Sequence, residues 1–337
     1  MTDQEETILV VGPAWVGDMV MAQSLFKVLK QRNPAAQIDV LAPAWTEPLL
    51  ARMPEVRDAI PIALGHGQLG LASRCKLGRS LRNRKYDRAI ILPRSLKSAI
   101  VPFAAKARRR TGFLGEQRWL LLNDIRKLDK KTLPRTVDRF VALGLDKDQP
   151  LPDSPLQPLL TTDLANAHKV LESIDHEMPE TNILGICPGA EYGPAKRWPA
   201  AHFAEVARKK LEEGWEVWLF GSEKDQAITG EIMGLTGHRC LDLSGKTELI
   251  EAVDLLALCS AVLTNDSGLM HVAAATGVPI VAVYGSSDPE HTPPLTDNAK
   301  IMYLALDCSP CFKRNCPLGH TDCLNKISPD MVLKSIH

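Results

Sequence analysis

The chain has 337 residues, 45% of them apolar, which suffices for two packed cores at ~100–200 residues per domain and is too apolar for a disordered chain. Forty basic and forty acidic side chains cancel, so the basic footprint of a nucleic-acid binder is missing. No apolar run approaches the ~20 residues of a membrane span, and the opening Thr2-Asp3-Gln4-Glu5-Glu6 is acidic where a secretion signal is basic. The expectation is a cytoplasmic protein whose eight cysteines are reduced.

Thr7–Gly12 is a short apolar, β-branched run that reads as a buried strand. It runs into the loop Gly12-Pro13-Ala14-Trp15-Val16-Gly17-Asp18. A helix follows from about Met19 to Gln31 and is ended by Asn33-Pro34, and Ile38–Ala42 is the next strand. Strand, glycine loop, helix and strand make a right-handed βαβ unit. The stretch Arg74–Arg118 is rich in Arg and Lys with few acids, which fits either an anionic partner or a solvated helix face with its loops. Within it, Ala89–Pro93 reads as a strand and Ser95–Ala107 as a helix.

Between Asp146 and Pro158 stand Pro150, Pro152, Pro155 and Pro158, which can continue neither a helix nor a central strand. This linker predicts domains at 1–158 and 159–337. The second half repeats the grammar of the first. After a helix at about Thr162–Ile174, strands are expected at Asn182–Cys187, Glu216–Phe220, Ala261–Thr264 and Pro279–Tyr284. Helices are expected at Pro199–Glu213, Leu249–Leu258 and Leu269–Ala275. Alternation of this kind predicts parallel sheets covered on both faces, with ligands beyond the carboxyl ends of the strands and in the cleft between domains.

Four strand-end loops carry chemistry. Thr264-Asn265-Asp266-Ser267-Gly268-Leu269-Met270-His271 joins a strand to a helix; backbone N–H groups at Ser267 and Gly268 suit a diphosphate, and His271 lies one turn in. The plainer alternative is an ordinary N-cap at Asp266 or Ser267 with a half-buried histidine. Lys196 and Arg197, in the loop Pro188–Pro199, are placed to neutralise phosphate or to be a surface basic pair. Glu223, in Gly221-Ser222-Glu223-Lys224-Asp225, is an acid where nucleotide folds bind ribose hydroxyls, or simply a helix-start charge. The first loop has neither a Gly-Lys-Ser/Thr ending nor a G-x-G-x-x-G pattern, which disfavours a nucleoside triphosphatase or a dehydrogenase. Its Asp18 is a general-base candidate, or a complement to the dipole of its helix.

The strings ILVVGPAWVGDMVMAQSL, ICPGAEYGPAKRWP, LFGSEKD and LTNDSGLMHVAAATGVPIVAVYGSSDP resemble the ADP-heptose:lipopolysaccharide heptosyltransferases, glycosyltransferase family 9, in order and spacing. RMPEV, LGHGQL, KLGRSLR, YDRAIILPRSLKSA, RTGFLGE and LLNDIR carry the resemblance through the first half. The forms GPAWVGDM and PGAEYGPAKRWP are most similar to the branch that adds the second heptose of the inner core. The resemblance implies an α/β protein of the GT-B fold: two Rossmann-like domains with parallel sheets facing a central cleft. It implies an N-terminal acceptor domain and a C-terminal nucleotide-sugar domain.

It also implies roles. Asp18 matches the family's proposed catalytic base, Lys196 the lysine on the donor diphosphate, and Glu223 the acid on the donor ribose. Asp266 matches an aspartate near the donor sugar, Ser267 and Gly268 the backbone cradle, and His271 the histidine of that loop. Ser267 replaces a threonine found in some relatives. The implied donor is ADP-heptose and the implied acceptor heptosyl-Kdo2-lipid A, with inversion in a single displacement and no cofactor required for the chemistry. Arg94 and Lys97, after a strand end, are the candidates for acceptor contacts. Because the acceptor is a lipid, the expected location is the cytoplasmic face of the inner membrane, in peripheral contact. The alternatives are a sister heptosyltransferase with another core acceptor, a GT-B sugar-nucleotide epimerase, or a nucleotide-binding protein without catalysis. Outside this account, Cys308, Cys311, Cys316 and Cys323 have the spacing C-x2-C-x4-C-x6-C in the segment 308–323. They are either free thiols, a structural zinc site or a disulfide. Nothing in the chain marks an oligomeric state.

Overall fold

The computed structural model describes residues 5–62 and 68–336. The chain divides into two compact units at Pro158/Leu159. In the first, β1 (Thr7–Val11), α1 (Val16–Arg32), β2 (Gln37–Pro43), α2 (Glu47–Leu50), β3 (Val56–Ile62) and α3 (Leu71–Ser80) are followed by β4 (Arg88–Ile91), α4 (Ile100–Ala104), β5 (Arg109–Phe113), β6 (Asp124–Arg126) and α5 (Thr136–Gly144). All strand pairs are parallel, in the order β3-β2-β1-β4-β5-β6. The central strands are continuous apolar runs because helices cover both faces: Ile8, Leu9, Val10, Ile90 and Ile91 are all fully buried.

The second unit contains α6 (Leu164–Ser173), β7 (Ile183–Cys187), α7 (Ala200–Glu212), β8 (Glu216–Leu219), α8 (Gln226–Leu235), β9 (Leu241–Asp242) and α9 (Leu249–Leu256). It continues with β10 (Ala261–Asn265), α10 (Gly268–Thr276), β11 (Ile280–Val283), β12 (Ala299–Met302), α11 (Asp322–Asn325) and α12 (Pro329–Leu333). Its sheet, β12-β11-β10-β7-β8-β9, is again all parallel and has the same winding as the first. In each unit the order reverses between the first and fourth strands, β1/β4 and β7/β10. Loops leaving the carboxyl ends of such a pair diverge to opposite faces and leave a crevice.

One expected helix is corrected. Ser95–Ala107 is a 3-10 turn at Leu96–Ala99 followed by the short α4. Pro102 has no N–H to give to Ser98, and the chain leaves the helix at Lys106, whose φ is +58°. The first helix starts earlier than expected, at Val16, so Asp18 stands inside its first turn. The LGHGQL string begins among residues 63–67, outside the described residues. Among the described residues no helix is long and apolar enough to cross a membrane.

Candidate active site

In the second unit, the order β11-β10-β7-β8 lines up four strand-end loops along one edge of the sheet. Lys196 ends a 3-10 turn in the loop after β7. Its ammonium meets the Asp266 carboxylate, beyond β10, at 2.5 Å, with side-chain exposures of 19% and 5%. Asn265 stitches the same two loops: its amide donates to the Pro188 carbonyl at 2.7 Å, and its oxygen accepts from the Trp198 N–H at 2.9 Å. Asn265 was not singled out from sequence, because its role lies in joining loops that are distant along the chain.

Ser267 is the N-cap residue of α10, yet its side chain makes no cap hydrogen bond, and Asp266 is engaged with Lys196. The simple N-cap alternative therefore does not describe this loop. No hydrogen bond to the backbone N–H of Ser267 or Gly268 is made among the described residues. The positive end of a nine-residue helix is left without a protein acceptor, beside a lysine. His271, on the inner side of that helix, is 5% exposed. Burial is the main cause that pushes its pKa down to about 4; Lys196 adds to the effect and Asp266 opposes it, so the imidazole is neutral at pH 7.

Glu223 is exposed and opens a 3-10 turn after β8, fixed by a reciprocal cap between Ser222 and Asp225. The loop is supported from below. Gly245, at φ +66°, packs its backbone against Glu223, and its N–H donates to Gly221 at 2.9 Å. Lys196, Asp266, Ser267, Gly268, His271 and Glu223 thus all belong to neighbouring strand ends of one sheet edge.

In the first unit, Asp18 follows β1 and is half-buried in the first turn of α1. The loop before it is braced by Trp45, whose indole N–H donates to Ala14 at 3.0 Å. Arg94 and Lys97 follow β4, the neighbour of β1, so they share the strand-end edge with Asp18. Arg94 is exposed and donates to the Leu114 carbonyl at 3.1 Å; Lys97 is half-buried.

The loop carrying Arg94 and Lys97 is held by Arg118, a residue that sequence reading counted only as one basic residue among many. Its guanidinium is 0% exposed. It donates to the carbonyls of Pro93 (2.6 Å), Ser95 (3.1 Å) and Phe113 (2.6 Å) and to the Ser98 hydroxyl (2.9 Å). Burial lowers its pKa to about 10, which still leaves it charged at neutral pH. The next two residues point out: Trp119 is 51% exposed and Leu120 80%.

Much of the basic run is likewise committed internally. Arg84 bridges Asp39 and Asp58, Arg88 bonds the Leu143 carbonyl, Arg109 pairs with Asp124, and Arg74 bonds Leu69. Counting charges along the sequence overstated what this face offers an anion.

Cys308, Cys311, Cys316 and Cys323 are free and half-buried. Among the described residues no group of three or more His, Cys, Asp or Glu is arranged to hold a metal ion. Each of Cys308, Cys311 and Cys316 nevertheless stands near enough to Cys323 to add to the burial that raises its pKa. Cys316 accepts backbone N–H groups of its own turn, from Leu318 to Thr321, which lower its pKa, and Cys323 packs against the core of the second unit.

The comparisons with known proteins agree with this picture. The family model described as glycosyltransferase family 9 (heptosyltransferase) matches residues 74–322. Lipopolysaccharide heptosyltransferase 2 of Salmonella typhimurium is 49% identical, over 98% of this chain and 97% of its own. The protein of that name from Escherichia coli is 48% identical over 98% and 97%. The solved structure of E. coli ADP-heptose LPS heptosyltransferase II superposes with a TM-score of 0.86 at 46% identity, covering 98% of this chain and 97% of that one. With a switch-point crevice in each of two parallel sheets and this likeness over nearly its full length, the chain belongs to glycosyltransferase family 9, the heptosyltransferases.

Proposed function

We propose that this enzyme transfers heptose from ADP-heptose to the heptosyl-Kdo2-lipid A inner core in lipopolysaccharide biosynthesis, with inversion at the anomeric carbon. The observation that carries the reading is the Lys196–Asp266 pair beside the uncapped start of α10. A lysine and bare helix N–H groups stabilise a departing diphosphate, whose charge grows as the glycosidic bond breaks. Ser267 and Gly268 supply those N–H groups. Asp266 holds Lys196 in place and faces the donor sugar, and Glu223 accepts from the ribose hydroxyls. His271, kept neutral by burial, adds no charge to the loop and leaves the diphosphate to Lys196.

The first unit, residues 1–158, binds the acceptor, and the second, 159–337, binds the donor. Asp18 takes the proton from the acceptor hydroxyl as that oxygen attacks the anomeric carbon and ADP leaves. One base suffices, because inversion forms no glycosyl-enzyme. Arg94 and Lys97 contact anionic groups of the acceptor. The displacement draws on charge and position alone, so no cofactor takes part. The names of the 48–49% identical relatives favour the second inner-core heptose over a sister acceptor. Asp18 and the Arg94–Lys97 loop, which an epimerase would not need, favour transfer.

The enzyme works at the cytoplasmic face of the inner membrane. The inverted turn supports this: the charge of Arg118 is inside while Trp119 and Leu120 are outside. Phe103 is also exposed, with the Arg110 guanidinium 5.5 Å over its ring, and Arg110 also donates to Leu121. Aromatic and aliphatic tips among basic groups suit an anionic lipid interface.

The test is ADP release from ADP-heptose with heptosyl-Kdo2-lipid A, for wild type and Asp18→Asn. Acceptor-dependent release that drops by ~10²–10⁴ in the variant, with ADP affinity unchanged, is expected. Release that survives Asp18→Asn removes the base assignment. Release with Kdo2-lipid A instead selects the sister reaction, and donor binding without release with any core acceptor rejects transfer.

A further inference from the structure

Residues 308–314, which the reaction above leaves without a role, run along the donor edge of the second sheet. Ser309 Oγ donates to the Gly285 carbonyl, and the Phe312 N–H donates to Ser286 at 2.7 Å, both just past β11. The Phe312 carbonyl accepts from the Tyr192 hydroxyl at 2.8 Å, and the Arg314 carbonyl from the Ala195 N–H at 3.0 Å, both in the lysine loop after β7. The fit is close: a Cβ on Gly193, whose φ is +153°, would stand 2.6 Å from the Arg314 oxygen. The segment is therefore fastened to the loops on either side of the start of α10.

This docking puts two cations against one aromatic ring. The Arg314 guanidinium lies 5.3 Å from the centroid of the Tyr192 ring, and the Lys196 ammonium lies 5.2 Å from the same centroid. We propose that residues 308–314 form an outer wall of the nucleotide-sugar site and that Arg314 is a second cation for the donor's diphosphate. This rests on the reading that Lys196 and α10 hold that group.

The charges around the ring support it. Lys196 is matched by Asp266, and Glu191, in the same loop, is matched by Lys224 at 2.8 Å. Arg314 has no carboxylate within ion-pair distance among the described residues. His271 is neutral, and the end of α10 is uncapped. The edge thus carries an unmatched guanidinium and an unmatched helix end near one lysine. A diphosphate supplies two or more negative charges, and a guanidinium binds such oxygens through parallel N–H bonds. The flexible side chain has only to turn on a backbone that is already fixed.

The experiment is calorimetric titration of the full chain with ADP and, separately, adenosine, for wild type, Arg314→Gln, Arg314→Lys and Lys196→Gln. The expected result is about tenfold weaker ADP binding in Arg314→Gln, with adenosine unchanged and partial recovery in Arg314→Lys. Arg314 is exposed, so these variants should keep the wild-type melting temperature. If Lys196→Gln weakens ADP and Arg314→Gln does not, the role of Arg314 is overturned while the site stands. Equal losses for ADP and adenosine overturn it too, since the segment then only props the loop. If neither variant weakens ADP, the diphosphate site itself is wrong.

Discussion

Lys196 and Asp266 close an ion pair at 2.5 Å although 70 residues separate them in the chain. The pair ties the loop after β7 to the start of α10, and both partners are largely out of water. Removing one partner leaves the other buried and unmatched, which costs more than the intact pair contributes. Lys196→Met is expected to destabilise the protein by about 3 kcal/mol in urea unfolding and to abolish ADP release. Lys196→Met with Asp266→Leu should regain most of the stability and none of the activity. An unchanged urea midpoint in the single variant would refute the structural half of this argument.

His271 gives the stability a pH dependence of definite sign. Its folded pKa is about 4, against an ordinary 6.5. Between these values the unfolded chain takes up a proton that the folded one refuses. The contribution is complete above pH 6.5, is lost as pH falls from 6.5 toward 4, and levels off below that, on the order of 3 kcal/mol in all. His271→Gln should remove this part of the slope. Unfolding curves of both proteins between pH 4.5 and pH 7, at matched ionic strength, check it; parallel slopes would count against it.

Gly115 packs against the loop that carries Arg94 and Lys97, the proposed acceptor contacts. A Cβ there would lie 2.6 Å from the Arg94 carbonyl oxygen and 3.0 Å from its Cβ, so the Arg94 backbone must shift. Gly115→Ala is expected to raise the acceptor KM several-fold and leave ADP affinity as it was, because the proposed donor groups belong to the other unit. Steady-state kinetics with each substrate varied separately will tell. A change confined to the donor KM would remove the loop from the acceptor site.

Trp119 and Leu120 stand on a turn anchored by Arg118, so replacing their exposed side chains leaves the anchor intact. The double change Trp119→Ser and Leu120→Ser should cut co-sedimentation with phosphatidylglycerol vesicles at least tenfold. Melting temperature should be unchanged, and ADP release with detergent-dispersed acceptor should stay within twofold. Wild-type protein that ignores phosphatidylglycerol vesicles would rule out this membrane contact.

The local grammar of this protein is written in its sequence. β1, β7, β10 and β11 are apolar runs followed by glycine- or proline-bearing loops, and these features depend on neighbours a few residues away. The candidate residues Lys196, Glu223 and Asp266 to His271 could be picked from strand-end position and from their resemblance to the family, and the structure brings them to one sheet edge. The failures were also local in origin. Pro102 breaks the helix expected from Ser95, and the charged ends of β5 and β6 hid two strands, because Arg109 finds Asp124 only once the strands pair.

Only tertiary structure decided which loops meet. The crossover that brings β10 back beside β7 places Asp266 on Lys196 and lets Asn265 hold Trp198. The same holds for burial. Arg118 is inside because four oxygens from Pro93, Ser95, Ser98 and Phe113 converge on its guanidinium, and no feature of a run of arginines foretells such a convergence. Sequence determined most of the elements and the candidate side chains, since propensity and pattern act over short range. Their pairings, and the docking of residues 308–314 on the loops after β7 and β11, depend on contacts between segments far apart in the chain, which exist only when the sheet has closed its order.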